Sequence, residues 1–396
     1  MRRLLPALIA LGLGLAACGG AGSGGGGGGG GKGPIKIGMI TSLTGNYTPL
    51  GKNDRLGARQ AVKEANKAGG IDGRKLKLIV KDDKTEPNQA VIDFNDLAGQ
   101  DVVGVVGSSF SNSSLAAIPV AARKKIPYIS TAASDEQVQP PQPYIYMTPP
   151  TAGVVAERLL QYFKAKGMTK LAIAYDTKSA FAQTGHKAMS KMASKYGVSF
   201  VDTETFETTQ TDFSSVLTHV RSSHAQGLMV WATGSPAVVI TKQFATSGMD
   251  MPLIMSHAEA STLYTQPAGK AAEGVTVASS LAVIGPYLPD SKLKDTVTSM
   301  AGPFKKKAGY YPPQFAFDGY SAVKLLAAAM KKGGTDPEQI EGALEHMKLL
   351  TPEGEYNYTP KNHAGLGPDD VAVTVVKNGE FVPTAWTKRQ LKSGLS

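Results

Sequence analysis

One cysteine, Cys18, is all the thiol this chain has in 396 residues. Disulfides within the chain are therefore excluded, and so is a thiolate metal cluster, so hydrophobic burial has to hold any fold. Long apolar runs are also missing. The most apolar stretch, Leu4 to Leu15, is short of the roughly 20 residues that a membrane-spanning helix needs. Outside a run of glycines there is no GxGxxG, and there is no Walker A sequence, no GxSxG elbow, no HExxH and no CxxC. The six histidines fall at 186, 219, 224, 257, 346 and 363. His219 and His224 are five apart, which is the wrong spacing for ligating one metal from one helix face, and most of the six read as surface residues. The expectation is a non-enzyme with no cofactor and no metal. The formal charge is +10, but the lysines are scattered over polar helix faces (Lys164, Lys166, Lys187, Lys191, Lys195). They do not gather in basic stripes interleaved with aromatics, which argues against nucleic acid.

What is present begins with Arg2 and Arg3, the apolar run, and Leu15-Ala16-Ala17 directly before Cys18. This is the layout of a secretory signal. The Leu-Ala-Ala-Cys ending resembles a bacterial lipobox, which implies cleavage before Cys18 and lipidation there. Residues 1–17 read as the signal. Residues 18–33, nearly all glycine after the cysteine, read as a tether reaching roughly 20 Å. The remaining chain would then work outside the cytoplasmic membrane, anchored to it. Its length of roughly 360 residues suits two domains better than one.

From Pro34 onward the periodicity alternates between strand and helix. Strands are expected at Ile35–Ile40, Leu76–Val80, Val102–Val106 and Ile126–Ile129. Helices are expected at Asn53–Ala68, Asn88–Ala98 (with Asn88 as cap) and Asn112–Lys124. The same order repeats from Val154, with a helix opened by Asp212 and another by Ser235-Pro236. Three helices between Ser291 and Met347 and the strand-like Val371–Val376 and Phe381 must add to sheets already built. Strands separated by helices of this length predict βαβ units on parallel sheets. The fold class is α/β, with two doubly wound lobes. Small polar residues collect after the strands, including Ser108-Ser109, Ser130 to Ser134 and Ser256-His257. In open α/β sheets ligands bind outside the carboxyl ends of the strands, so a cleft between two such edges is the expected site.

Several segments, taken in order, resemble one family. They are Ile35-Lys36-Ile37-Gly38 through Ser42-Leu43-Thr44-Gly45, Gly57-Ala58-Arg59-Gln60-Ala61, Asn66 to Ile71, Asp82-Asp83, Val102 to Ser109, and Ile126-Pro127-Tyr128-Ile129-Ser130. The chain is similar over residues 34–385 to the leucine/isoleucine/valine-binding proteins, extracytoplasmic receptors of ABC importers. The resemblance implies two lobes closing on a small solute about a hinge that the chain crosses three times. Carried over, residues 34–150 and 282–354 form lobe one, and residues 151–281 and 355–396 form lobe two. It also implies an ABC permease and ATPase complex as partner, and a monomer.

The family's carboxylate site falls on Ser108, with Ser109 beside it, the backbone of Ala132, and Ser134. The tyrosine that covers the ligand from lobe two falls on Phe181. An aromatic wall falls near Leu50, with Tyr47 close by. The acidic partner of an amino group falls on Ala258 without gaps, and a one-residue slip would bring in Glu259. Asp318 is an alternative, and His257 is placed to face the cleft. The ligand expected from the resemblance is an amino acid of the branched-chain type. An aromatic or aliphatic carboxylate without an ammonium group is the alternative, and a ligand-sensing subunit of a signalling system is the alternative role.

Overall fold

The computed structural model describes residues 33–393. Cys18, the expected signal and the expected tether up to residue 32 lie outside the described residues. Two sheets organise the chain. The first is built from β1 (Ile35–Thr41), α1 (Thr48–Lys67), β2 (Leu76–Asp82), α2 (Pro87–Ala98), β3 (Val105–Val106), α3 (Ser111–Lys124), β4 (Tyr128–Ser130) and β5 (Ile145–Met147). Its strands are all parallel, in the order β2-β1-β3-β4-β5.

The second sheet draws on α4 (Ala152–Ala165), β6 (Lys170–Asp176), α5 (Ala180–Met192), β7 (Ser199–Phe206), α6 (Ser214–Ser222), β8 (Leu228–Trp231), α7 (Ser235–Thr246), β9 (Leu253–Met255), α8 (Thr262–Ala268) and β10 (Thr276–Ser280). The chain then returns to the first sheet as α9 (Lys292–Ala308), α10 (Gln314–Gly333) and α11 (Pro337–Leu344), followed by a hairpin of β11 (Lys348–Thr351) and β12 (Gly354–Asn357). It ends on β13 (Val371–Lys377), β14 (Glu380–Pro383) and α12 (Ala385–Lys392). The second sheet runs β7-β6-β8-β9-β10-β13-β14. Its first five strands repeat the order of the first sheet. The late strands close it antiparallel, β13 against β10 and β14 against β13, so this sheet is not wholly parallel.

Both sheets are buried on both faces, which fits their apolar runs. Ile37, Met39 and Val106 pack with Ala316, Phe317 and Leu326 of α10 on one face of the first sheet. Phe94, Leu97 and Val105 join the α2–α3 side, and that core continues into Leu171, Ile173 and Trp231 of the second sheet. Helix α1 and helix α10 approach backbone to backbone. A Cβ on Gly57 would lie 1.9 Å from the Ala316 carbonyl, and one on Gly319 would lie 2.2 Å from the Asp54 carbonyl.

Some local expectations shift. Helix α1 begins at Thr48, because Pro49 sits in its first turn where no N–H is needed. Glu86, not Asn88, holds the cap position of α2, with Pro87 first in the helix. Strand β3 is only Val105–Val106. Phe213 holds the cap position of α6, while Asp212 takes the Ser214 N–H at 2.9 Å. His363 is not a surface residue. It is buried, with Nδ1 2.8 Å from the Ile145 carbonyl. Among the described residues, no helix is long and apolar enough to cross a membrane.

Candidate functional site

A 2-1-3-4-5 strand order places a switch point between the first and third strands, where the following connections leave to opposite faces of the sheet. Here the two sheets turn these ends toward one cavity. The first sheet contributes Tyr47 and Leu50 after β1, Ser109, Phe110 and Ser111 after β3, and Thr131 and Ala132 after β4. The second contributes Ser179 and Phe181 after β6, Thr233 after β8, and His257 and Ala258 after β9. Gln314, Phe315 and Asp318 close it from the start of α10. The cavity between these walls is narrow, ≈ 30 Å³.

Tyr47, Leu50, Ser109, Ala132, Phe181, His257 and Asp318 thus meet in one place. Ser108, Ser134 and Glu259 do not line it. Ser108 is fully buried: its Oγ donates to Asp83 Oδ2 at 2.6 Å and its N–H donates to the Tyr128 hydroxyl at 2.8 Å. The turn before it explains the direction. Gly107 has φ +92°, and a Cβ there would sit 1.9 Å from the Ile40 carbonyl, so the loop folds down over β1 and carries Ser108 with it. Ser134 is buried against Thr184 of α5, with the hydroxyls 3.1 Å apart. Ala132 reaches the cavity, but its N–H donates to Ser130 Oγ at 3.0 Å. What opens instead is Ser109, whose hydroxyl lies beside the Asp54 carboxyl, and the start of α3 at Ser111. A helix start presents unpaired N–H groups and the positive end of the dipole, which suits an anionic group.

Aromatic rings form the apolar walls. Tyr47 stacks on Phe110 with centroids 4.6 Å apart, and Leu50 and Phe315 pack with them. From the other sheet, Phe181 is held edge-on by Trp231 at 5.4 Å and by His257 at 5.3 Å.

Charge in the lining is one-sided. Asp318 is its carboxyl, and no lysine or arginine contributes. Burial and the neighbouring Glu353 carboxyl raise Asp318 well above the usual carboxylate range. Burial pushes Asp54, just behind it on α1, up to about 8. His257 is 3% exposed, and burial lowers it to about 3, so the imidazole is neutral. Glu259 is buried outside the lining: it accepts the Ser256 hydroxyl at 2.8 Å, and burial raises it to about 8. Among the described residues no group of three or more His, Cys, Asp or Glu side chains is arranged to hold a metal ion.

Residues that sequence reasoning missed include Phe110, Ser111, Gln314 and Phe315 in the lining, and Asp54 and Glu353 behind it. Asp54 did leave a signal. It sits four residues after Leu50 and four before Ala58, on the buried stripe of α1, and an acid on a core-facing stripe needs a reason.

A model of the family described as periplasmic binding proteins matches residues 34–380. The chain belongs to this family. Members of the periplasmic binding protein family are binding proteins and not enzymes, and they work outside the cytoplasm. Among curated relatives, Leu/Ile/Val-binding protein homolog 1 of Brucella melitensis is 26% identical over 84% of this chain and 88% of its own length. The leucine-, isoleucine-, valine-, threonine- and alanine-binding protein of Pseudomonas aeruginosa is 24% identical over 89% of this chain and 90% of its own. Among solved structures, a branched-chain amino acid transporter substrate-binding protein of Streptococcus pneumoniae in complex with isoleucine superposes with TM-score 0.79. It is 23% identical over 88% of this chain and 97% of its own. An ABC transporter solute-binding protein of Rhodopseudomonas palustris in complex with benzoate gives 0.76, at 19% identity, over 89% and 95%.

Proposed function

We propose that this periplasmic binding protein captures a small amino acid between its two sheets and delivers it to an ABC importer. The observation that carries the reading is the polarity of the cavity. The start of α3 with Ser109 and Ser111 suits a carboxylate on one side, Asp318 suits an ammonium group on the other, and aromatic rings lie between. Relatives named as leucine-, isoleucine- and valine-binding proteins support the same class. A carboxylate without an ammonium group, the alternative ligand, would find the α3 start but would leave Asp318 without a partner, in a lining with no lysine or arginine, so the cavity favours the zwitterion.

In this reading two lobes, each built on one of the sheets and with the β11–β12 hairpin kept whole in the first, close by hinge motion at the three crossings. Lipid on Cys18 keeps the receptor at the membrane beside its permease, and it acts as a monomer. Deleting the gene should abolish uptake of one amino acid class, and a Cys18→Ser protein should be released from membranes. Unchanged uptake of every amino acid in the deletion strain would refute delivery to an importer and favour a sensing role.

A further inference from the structure

Asp318 faces the cavity from α10 with two more carboxyls directly behind it. Gln314 Nε2 bridges Asp318 Oδ1 at 3.3 Å and Glu353 Oε1 at 3.1 Å, with Glu353 in the turn between β11 and β12. Asp54 comes from α1, where the close crossing at Gly57 and Gly319 brings the two helices together. Its Oδ2 accepts the Thr131 hydroxyl at 2.6 Å, and the Ser109 hydroxyl also lies beside this carboxyl. The Tyr356 hydroxyl lies 2.5 Å from the Thr148 carbonyl and 3.1 Å from Glu353 Oε2. Its single proton goes to the nearer carbonyl, so the contact with Glu353 is best made by a carboxyl that keeps its own proton.

All three acids are at most 1% exposed, and no described ion pair includes any of them. Further out, Asp83 acts on Asp54, and Asp370 acts on Glu353. Across the cavity, Glu259 and Asp176 act on Tyr47. Buried charges of one sign, without a counter-charge, must be neutralised by protons or by an arriving cation. From the opposite wall His257, nine-tenths buried and neutral, turns toward the same cavity with Nδ1 unpartnered. It supplies a polar partner for a solute but no charge.

We infer that the solute must carry a cationic nitrogen and that Asp318, not Glu259, is its counter-ion, with Asp54 and Glu353 as positioning residues behind it. This rests on the receptor reading above. When the nitrogen seats, the O–H bond of the Asp318 carboxyl breaks, its electron pair stays on the carboxylate, and the proton leaves to water. Binding near neutral pH therefore releases a proton and weakens as pH falls.

Calorimetry on the full chain tests this with two matched sets: L-leucine, 4-methylpentanoate and 3-methylbutylamine, and L-phenylalanine, 3-phenylpropanoate and 2-phenylethylamine. Titrations in buffers of different ionisation heat count the protons. The wild type is expected to bind an amino acid with proton release, and to bind its deamino partner at least about tenfold more weakly. Asp318→Asn, which melts no lower than wild type because it removes one crowded buried acid, is expected to lose at least about tenfold in amino-acid affinity and to release no proton. A folded Asp318→Asn protein that binds the amino acid as wild type does would overturn the inference and leave the receptor reading standing. Binding of a deamino acid with none of the amine-bearing compounds, or silence from every amine-bearing compound, would overturn both.

Discussion

The hydroxyl of Ser108 lies 2.6 Å from Oδ2 of Asp83, and this bond turns the serine away from the cavity that its neighbour Ser109 lines. Asp83 also accepts the Ser42 hydroxyl at 2.6 Å and the Thr85 N–H at 2.9 Å. A buried carboxylate served by several donors fixes the loops after β1, β2 and β3 together.

Ser108→Ala is therefore expected to act on stability. Loss of a buried hydrogen bond to a charged group costs about 1.5–3 kcal/mol. Urea denaturation should show this loss, while the affinity for an amino acid stays within about threefold of wild type.

Glu259→Gln separates the two acidic positions. Glu259 is buried, has one unpartnered oxygen and lies outside the lining. The amide should leave affinity unchanged and raise the melting temperature more at pH 9 than at pH 5. A large loss of affinity would return the ammonium to this residue.

The wild-type pH profile follows from the raised acids. Asp54 and Glu259 stand at about 8, and burial raises Glu353 as well. A carboxyl with its folded pKa above its unfolded one contributes stability that is full at low pH and is lost as pH rises toward the folded value. His257, lowered to about 3, works the other way: its contribution is present above the unfolded value near 6.5 and is lost as pH falls. Between roughly pH 6.5 and pH 8 the acids dominate. Thermal melts should therefore show stability falling across that window. A rise would mean that these carboxyls are not protonated in the folded protein.

Phe181→Leu tests the apolar wall from the second sheet. The ring touches Trp231 and His257 edge-on, and such aromatic geometry is worth about 0.5–1.5 kcal/mol beyond burial. Calorimetry should record a loss of affinity of roughly twofold to tenfold, with a cooperative melt retained.

Periodicity made the fold legible. Apolar runs such as Ile35–Ile40 and Leu228–Trp231, spaced by amphipathic helices, required parallel sheets, and the loops after them gave the edge where the cavity lies. Direction within a loop was not legible. Ser108 and Ser109 are adjacent and chemically identical, yet the left-handed turn at Gly107 sends one inward and leaves the other at the cavity. The same holds for Ala258 and Glu259: the short helical turn at His257–Glu259 puts the alanine in the lining and the acid in the interior. Glu353 lies far from the strand loops in sequence, and only the packing of the β11–β12 turn on α10 brings it to Asp318.

The most direct test of the account is a thermal-shift titration of the full chain with L-leucine, L-isoleucine and L-valine, set against benzoate and 4-methylpentanoate. At a hundredfold excess over the dissociation constant, a true solute stabilises the folded state by about 2.7 kcal/mol. The account predicts saturable stabilisation by at least one of the amino acids and none by the two acids that lack nitrogen. Stabilisation by benzoate or 4-methylpentanoate, with no response to any amino acid, would contradict it.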